Sequence, residues 1–392
     1  MEMLKMINLN KTKDAEQRKA LNLWALNSYN GSIIAGTGFG KSRCGVTACN
    51  HTLSNNPNAK AIILVPTTQL QKQFQEEFLK WGYEDCLDRV DIICYQSAYK
   101  LQDQHYDIVV CDEIHLGLSL EYRKFFENNS FNKILCMTAT PPEEPEYQSL
   151  LQELAPTVYT ITLDECVNLG LVSPYEIYCM PVDLTVEERE AYKNINNKFV
   201  YYKYQLGQFD AFNEAKRLMS DKNADSHSKG MAAQFYRCIR SRKAIVDFAE
   251  NKITEFKKLV YQHLDKKILA FGGANEFTDR LCDSIDPLGM AYHSKKTKKQ
   301  RENSLKYFKN DTINVLCSTK ALNQGLDVPN ANMGIICGIT SKSLSMIQRV
   351  GRLIRLKEGK VGKIYILYIK DSQEEKWLKN AVKKLDNINW LP

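Results

Sequence analysis

The sequence predicts an α/β protein in which two domains, each built on a parallel β-sheet, follow one another along the chain. Two observations lead to this fold class. Short apolar runs of strand length alternate with amphipathic segments along most of the 392 residues, which is typical of a parallel sheet covered by helices on both faces. The alternation stops at about residues 182–242 and then resumes, so the chain divides into two units of ordinary domain size.

The predicted strands form two sets. The first set comprises 32–35, 61–65, 90–94, 108–111 and 133–137, with a helical pattern at 68–81. The second set comprises 267–271, 290–292, 314–318, 333–337 and 363–368. Between the sets, the pattern predicts helices at 185–204, 210–219 and 231–240, with a loop at 220–230. We therefore expect a first domain at residues 1–180, a helical insertion at 181–244 and a second domain at 245–392.

Composition excludes several classes of protein. Apolar residues make up 44% of the chain and charged residues 25%, which is ordinary for a globular domain and excludes collagen-like or largely disordered chains. No apolar run reaches the roughly 18 residues of a membrane span, and residues 1–14 lack the apolar core of a signal peptide. The 12 cysteines contain no CxxC pair, so we expect no metal cluster and a reducing, cytoplasmic location.

Charge is distributed unevenly along the chain. Residues 1–180 contain 15 Lys and Arg and 22 Asp and Glu, a net charge of −7, whereas residues 181–392 contain 38 and 24, a net charge of +14. This asymmetry is typical of a protein that holds an anionic partner with its second half. Chance scatter of surface charge explains the composition equally well.

A candidate phosphate-binding loop follows the first predicted strand. The segment AGTGFGKS at residues 35–42 lies between that strand and a helix, which is the context that a phosphate loop requires. Its glycines allow backbone N–H groups to face phosphates, Lys41 can reach the β- and γ-phosphates, and Ser42 can ligate Mg²⁺. Ala35 replaces the first glycine of the strict pattern, so a flexible loop without a ligand is the alternative. The predicted nucleotide-binding residues are Gly36, Thr37, Gly38, Gly40, Lys41 and Ser42.

Two adjacent carboxylates follow another predicted strand. Residues 108–111 are apolar, and Asp112 and Glu113 come directly after them. Ligands bind at the carboxyl ends of strands in open α/β sheets, so we expect this pair to lie near the phosphate loop. Asp112 is predicted to hold Mg²⁺, and Glu113 to accept a proton from the attacking water. A solvated surface pair is the alternative, and the apolar strand before it makes that alternative weak.

Seven segments, in order, resemble the motifs of the superfamily 2 helicases, and the resemblance covers nearly the whole chain. Residues 35–42 resemble motif I, and the DEIH sequence at 112–115 resembles motif II. The other segments are PTTQL at 66–70 (Ia), YQS at 95–97 (Ic), TAT at 138–140 (III), ST at 318–319 with ALNQGLDVP at 321–329 (V), and QRVGRLIR at 348–355 (VI). The resemblance implies two RecA-like domains that hydrolyse ATP, with Mg²⁺, in the cleft between them.

Motifs V and VI are similar in form to those of the DNA-directed group, which includes XPB-like and UvsW-like helicases and restriction-enzyme translocases. DEAD-box RNA helicases usually have DEAD in motif II and HRxGRxxR in motif VI, and this chain has neither. The compact length resembles that of a phage-encoded member. The resemblance therefore implies single-stranded, forked or branched DNA as the partner, with RNA less favoured.

The resemblance assigns roles in ATP hydrolysis to residues of the second half. Arg352 and Arg355, three residues apart, are the candidate arginine fingers. Gln348 would help to position the attacking water. Gly325 and Asp327 would contact the nucleotide or seal the closed cleft.

In the first half, the resemblance points to two further functions. Thr138 and Thr140 would couple the ATP site to the nucleic-acid site, although a helix cap before two prolines explains them as well. Gln17, in the first predicted helix, would recognise the adenine edge. An exposed helix glutamine is an equally good interpretation of Gln17.

Movement along a strand requires donors to the phosphates without reading of the bases. The positions that match backbone contacts in relatives are Pro66, Thr67, Gln96, Ser97 and Thr319. Gly272 and Gly273 follow the predicted strand at 267–271, and a backbone N–H there, with Gly272 the first candidate, is a further predicted contact. Lys295 and Lys296 begin a basic segment that is either a phosphate contact or a solvated helix face. The aromatic residues at 199–204 either stack on bases or pack their helix onto its neighbours.

Taken together, these features predict an ATP-dependent DNA helicase or translocase that unwinds or remodels branched or duplex DNA. Movement on duplex DNA without strand separation, RNA unwinding, and a nucleic-acid-binding scaffold with a vestigial ATPase are the alternatives. Replication or recombination proteins are the expected protein partners, no membrane is involved, and the location is the host cytoplasm if a phage encodes the protein.

Overall fold

Two parallel β-sheets with helices between their strands confirm the predicted α/β architecture. The structure is a computed structural model that describes residues 2–36, 38–139, 141–142, 144–171, 174–319, 331–339, 361–383, 385 and 387–392, with side chains from residue 11 onward. Among the helices in these ranges, none is both long enough and apolar enough to cross a bilayer.

The first sheet contains the candidate phosphate loop. In chain order, the strands of the first half are β1 (Asn30–Ala35), β2 (Ala61–Val65), β3 (Val90–Cys94), β4 (His105–Tyr106), β5 (Ile108–Asp112), β6 (Ser130–Phe131), β7 (Ile134–Thr138) and β8 (Thr157–Ile161). The sheet order is β3-β2-β5-β7-β1-β8, while β4 and β6 form a separate pair. β2 reads AIILV and is buried along its whole length, because helices cover both faces of a parallel sheet.

The second sheet has the order β11-β12-β10-β13-β14-β9-β15. Its strands are β9 (Tyr175–Val182), β10 (Ile268–Phe271), β11 (Gly289–Tyr292), β12 (Val315–Ser318), β13 (Met333–Ile336), β14 (Gly362–Ile369) and β15 (Ile388–Trp390). All neighbouring strands are parallel. The carboxyl ends of β10 and β12 therefore lie side by side.

The helices occupy the segments between strands. They are α1 (Glu2–Leu26), α2 (Lys41–Asn55), α3 (Thr68–Lys80), α4 (Tyr95–Ala98), α5 (Ile114–Gly117), α6 (Lys124–Asn128), α7 (Pro145–Leu154), α8 (Leu163–Asn168), α9 (Val186–Gln205), α10 (Ala211–Ser220), α11 (Ser226–Asp247), α12 (Glu250–Gln262), α13 (Asn275–Asp283), α14 (Lys298–Lys309) and α15 (Gln373–Val382). A 3₁₀ helix spans Glu84–Arg89.

The predicted domain boundary at residue 180 is wrong, because it falls inside β9. This strand pairs with β14 and β15, so it belongs to the second sheet. Along β9, buried and half-buried residues alternate, with Tyr175, Ile177 and Cys179 buried. This pattern was overlooked in the sequence because Tyr and Glu interrupt the apolar run. The second domain therefore begins by residue 175.

The segment between β9 and β10 is helical, but one predicted loop is shorter than expected. The predicted loop at 220–230 contains the first residues of α11, which begins at Ser226. Asp225 starts that helix, because its carboxylate accepts the backbone N–H of Ser228 and satisfies an N-terminal donor. α9, α10 and α11 share a small apolar core that includes Leu206, Ala215 and Phe235.

Candidate functional site

The phosphate loop lies between β1 and α2, and its backbone has the conformation that glycine favours. Gly38 and Gly40 have φ values of 96° and 91°, which side chains with a Cβ rarely adopt. No side chain caps the N-terminus of α2, so its first N–H groups remain available to an anion. The Lys41 ammonium donates to the carbonyl of Ala35 at 2.9 Å. This loop therefore fits a phosphate group.

Gln17 holds the phosphate loop from the side of α1. Its side chain is only 3% exposed, so the interpretation as an exposed helix glutamine is wrong. Nε2 donates to the carbonyl of Phe39 at 2.7 Å, and Oε1 accepts from Arg43 Nη1 at 2.9 Å. A Cβ on Gly40 would lie 2.3 Å from Gln17 Nε2. These contacts show that Gln17 positions the loop, while its contact with adenine stays a prediction.

Asp112 and Glu113 lie at the carboxyl end of β5, as predicted. Asp112 is 6% exposed, and its burial together with the neighbouring Glu113 carboxylate raises its pKa to about 7, despite the opposing effect of Lys41. A cation beside this carboxylate would favour the ionised form. A carboxylate and the Ser42 hydroxyl are oxygen ligands of the kind that Mg²⁺ prefers, so the residues fit the ion.

A hydrogen-bonded chain joins the predicted base to the predicted coupling segment. The Thr138 hydroxyl donates to Glu113 Oε2 at 3.1 Å, and His115 Nδ1 lies 3.1 Å from the same hydroxyl. Because the hydroxyl has a single proton, His115 Nδ1 must be the donor to Thr138. β7 lies between β5 and β1 in the sheet, which is why Thr138 reaches the acidic pair. The structure thus brings motifs II and III together.

The predicted phosphate contacts of the first domain lie at the carboxyl ends of β2 and β3. Thr67 caps α3 by accepting the N–H of Leu70. Gln96 Nε2 donates to the carbonyl of Pro66 at 3.3 Å, which joins the two segments. Gln96 and Ser97 are exposed, whereas Pro66 is buried. Neutral donors therefore lie together on one edge of the first sheet.

In the second domain, the groups of the two predicted phosphate contacts, Gly272 and Thr319, have different hydrogen-bond partners. The N–H of Gly272 donates to the carbonyl of Ser318 at 2.9 Å, so its predicted role as a phosphate donor is wrong. Local sequence pattern does not reveal this bond, because it depends on the pairing of β10 with β12. Thr319 is buried, and its hydroxyl donates to Asn275 Oδ1 at 2.8 Å. Asn275, which sequence reasoning missed, therefore lies beside Thr319 at this edge.

Lys295 and Lys296 each form an ion pair with an acidic residue of α13. Lys295 Nζ lies 3.3 Å from Glu276, and Lys296 Nζ lies 2.9 Å from Asp279. Asp279 also accepts from His293 Nε2 at 2.9 Å. These pairs reduce the local positive charge; the Lys295 pair is exposed and therefore weak, whereas Lys296 and Asp279 are half-buried.

The aromatic segment at 199–204 divides between packing and exposure. Phe199 stacks on Phe235 with ring centroids 5.3 Å apart, and the Arg242 guanidinium lies 4.1 Å from the centre of the Phe199 ring. Tyr201 and Tyr204 face solvent, and Tyr204 is 70% exposed. Packing therefore accounts for part of the segment only.

Comparison with known proteins identifies the family to which this site belongs. Residues 9–143 match the family model described as "Type III restriction enzyme, res subunit", and residues 251–357 match the "Helicase conserved C-terminal domain". The first match contains the phosphate loop and the acidic pair. The chain belongs to the superfamily 2 helicases. It is an ATP-dependent helicase, and therefore an ATPase that nucleic acid stimulates.

Individual relatives support the same assignment. The DNA 3'-5' translocase XPB2 of Sulfurisphaera tokodaii is 24% identical to this helicase, over 87% of this chain and 78% of its own. Putative helicase 22 of Sulfolobus islandicus filamentous virus is 26% identical, over 92% of this chain and 63% of its own. The helicase domain of Pyrococcus furiosus Hef has the same fold, with a TM-score of 0.59 at 15% identity, over 94% of this chain and 97% of that structure.

Part of the predicted ATP site lies outside the described residues. These positions are Thr37, Thr140, Gly325, Asp327, Gln348, Arg352 and Arg355. Their roles in the helicase stay predictions.

Two residues with clear structural roles were not singled out by sequence reasoning. His115 completes the chain to Thr138, and Tyr95 donates to the main chain of Asp112. Tyr95 directly follows the buried end of β3, and this position in the sequence indicates that its side chain is buried at the edge of the sheet. The burial of Gln17 is indicated by its spacing from Ala20 and Trp24, which are buried on the same face of α1.

Proposed function

We propose that this helicase couples Mg-ATP hydrolysis to movement along DNA and to the unwinding or remodelling of branched or duplex DNA. The observation that carries the proposal is the hydrogen-bonded chain from Glu113 through Thr138 to His115. It joins the predicted base to the segment that would transmit hydrolysis. Neutral donors on the same sheet edge, Thr67, Gln96 and Ser97, would hold the phosphates.

In hydrolysis, the residues of the first domain would act in distinct ways. Lys41 would exchange the Ala35 carbonyl for phosphate oxygens, and the N-terminus of α2 would add its partial positive charge. Asp112 and Ser42 would hold Mg²⁺, which neutralises phosphate charge when bound. Glu113 would accept the proton of the attacking water, held in place by the Thr138 hydroxyl. Arg352 and Arg355 are proposed to stabilise the charge of the transition state.

DNA is favoured over RNA by the forms of motifs V and VI and by the restriction-enzyme model that the first domain matches. The first domain's share of the chain is acidic, so we propose that the second half supplies most of the salt-dependent attraction. Twelve cysteines without a disulfide support our proposal of a reducing cytoplasm.

A panel of nucleic acids tests the proposed function. We expect ATP hydrolysis to be stimulated by single-stranded, forked or four-way DNA more strongly than by RNA of the same length. Lys41→Ala should lower the stimulated rate by about 10- to 100-fold, because charged hydrogen bonds to the phosphates are lost. Lys60→Ala, an exposed lysine just before β2, is the matched control and should behave as wild type.

Three outcomes would contradict the proposal. Failure of every nucleic acid to stimulate hydrolysis would exclude a motor. Stronger stimulation by RNA would favour an RNA helicase. A Lys41→Ala protein with wild-type activity would mean that the ATP site lies elsewhere.

The salt dependence of binding tests Lys295 and Lys296, which we propose as phosphate contacts. The exposed ion pair of Lys295 with Glu276 is weak enough to exchange for a phosphate, whereas the half-buried pair of Lys296 with Asp279 would have to open for the second contact. In a Lys295→Ser, Lys296→Ser double variant, the slope of log K against log salt for single-stranded DNA should become shallower by about 0.7 for each contact. Lys257→Ser, Lys258→Ser on α12 is a control with the same charge change. An unchanged slope would mean a solvated helix face.

A further inference from the structure

Tyr95 connects the predicted nucleic-acid edge of the first domain to the strand that ends in Asp112. It is the first residue of α4, directly after β3, and its side chain is 1% exposed. The hydroxyl donates to the main-chain oxygen of Asp112 at 2.9 Å. On one edge, β5 stays paired with β7 through Asp112; on the other, its pairing with β2 ends at Cys111, so the Tyr95 hydroxyl binds the first main-chain oxygen of β5 beyond the pairing with β2.

The ring of Tyr95 also contacts the helix that follows the acidic pair. A Cβ on Gly117, the last residue of α5, would lie 2.8 Å from Tyr95 Cε1. On another side, the Tyr122 ring stacks at 6.0 Å. Residues before and after Glu113 therefore both contact one side chain. Close packing of this kind transmits displacement instead of absorbing it.

The neighbours of Tyr95 in α4 face outward. Gln96 and Ser97 are exposed, and Gln96 donates to the carbonyl of Pro66. In one short helix, two exposed polar residues thus lie next to a buried side chain bonded to Asp112. A phosphate that accepts a hydrogen bond from Gln96 or Ser97 would therefore hold α4 in place. Tyr95 would transmit this restraint to the main chain of Asp112.

We propose that Tyr95 is a positioning residue that couples nucleic-acid binding at α4 to the placement of Asp112 and Glu113. The inference rests on the proposed function. A bound strand would fix α4, and the Tyr95 hydroxyl would fix the end of β5, so that both carboxylates take the arrangement needed for hydrolysis. Coupling between two binding sites is reciprocal, so if the bound strand raises the affinity for ATP through Tyr95, ATP raises the affinity for the strand by the same factor.

Tyr95→Phe tests this role because it removes the hydroxyl and keeps the ring. We expect the stimulation factor, defined as kcat with saturating single-stranded DNA divided by kcat without it, to fall roughly three- to tenfold, the size of one hydrogen bond. Basal kcat should stay within about twofold of wild type. The factor by which a non-hydrolysable ATP analogue tightens DNA binding should also fall; it is a separate readout, because reciprocity joins the two binding free energies and does not extend to kcat.

Ser32→Ala is the matched control. The Ser32 hydroxyl donates to the carbonyl of Ala155 at 2.5 Å in the same domain, so this variant also loses one buried hydroxyl-to-carbonyl bond. It should lower thermal stability to a similar degree and leave the stimulation factor unchanged. Gly117→Ala, which would press on the Tyr95 ring, should lower the stimulation factor in the same direction as Tyr95→Phe.

The possible results separate this inference from the proposed function. An unchanged stimulation factor in Tyr95→Phe would overturn the inference and leave the helicase function intact. Equal losses of basal and stimulated kcat would also overturn it, because the bond would then support the site without coupling it. A wild-type protein that no nucleic acid stimulates would overturn the proposed function, and the inference with it.

Discussion

Glu113→Gln should lower the nucleic-acid-stimulated kcat by about 10²- to 10⁴-fold, the contribution of a general base. Glutamine has almost the shape of glutamate, and its side-chain oxygen can still accept the Thr138 hydroxyl. The chain that joins Glu113, Thr138 and His115 should therefore survive. What is lost is the ability to take a proton from water. The affinity for a fluorescent ATP analogue should change by less than about threefold, since the phosphate loop is untouched.

The control for this variant is Glu121→Gln, an exposed glutamate of the same domain. It carries the same change of charge and should hydrolyse ATP at the wild-type rate. A Glu113→Gln protein that retains more than a tenth of wild-type kcat would mean that another group accepts the proton. A large loss of thermal stability in Glu113→Gln would point to a structural role of the carboxylate in binding Thr138.

Local patterns were enough to predict the phosphate loop and the acidic pair. The loop depends on a strand, glycines and a helix that are adjacent in the chain, and β1, Gly38, Gly40 and α2 follow that order. Asp112 could be placed because carboxyl ends of parallel strands share one edge. The acidic pair is far from the phosphate loop in the sequence, but only β7 lies between β5 and β1 in the sheet. The carboxyl ends of these strands are therefore close together.

Features that depend on contacts between distant segments could not be predicted in the same way. The Gly272 N–H is bound to Ser318, 46 positions later in the numbering, and a single strand pattern cannot reveal which neighbour takes a donor. Gln17 is buried because α1 lies against the phosphate loop, a contact that periodicity alone does not specify. That β9 belongs to the second sheet depends likewise on distant segments, because its partner strands β14 and β15 come late in the chain.

The charges around the phosphate loop of the first domain indicate that part of the positive charge at the ATP site comes from another part of the chain. Arg43 is the arginine next to the phosphate loop, but its guanidinium is already engaged. It contacts the Asp14 carboxylate, donates to Gln17 at 2.9 Å and lies 3.8 Å from the Trp81 ring centre. Meanwhile burial, together with the neighbouring Glu113 carboxylate, raises the pKa of Asp112 to about 7. Among the described residues, Lys41 is the cation that acts on the Asp112 carboxylate, and its charge does not return that pKa to its usual range; this favours arginines from the second domain as partners of the phosphates.

Arg352→Ala and Arg355→Ala should accordingly produce the largest losses, with at least one lowering kcat by about 10³- to 10⁵-fold. The charge that these side chains would stabilise appears mainly in the transition state, so the KM for ATP should change far less than kcat. Arg→Lys at the same position should recover little, because lysine keeps the charge but lacks the planar pair of donors. Arg217→Ala, an exposed arginine paired with Glu214 on α10, is the control.

A transition-state analogue separates an arginine finger from a residue that merely closes the cleft. Binding of ADP with aluminium fluoride should weaken strongly in the affected arginine variant, whereas binding of a non-hydrolysable ATP analogue should weaken little, since only the former imitates the charge distribution of transfer. Equal weakening of both would assign the arginine to ground-state binding. If both single variants keep kcat within tenfold of wild type, motif VI does not supply the finger, and Arg43 would have to leave Asp14 and Gln17 to do so.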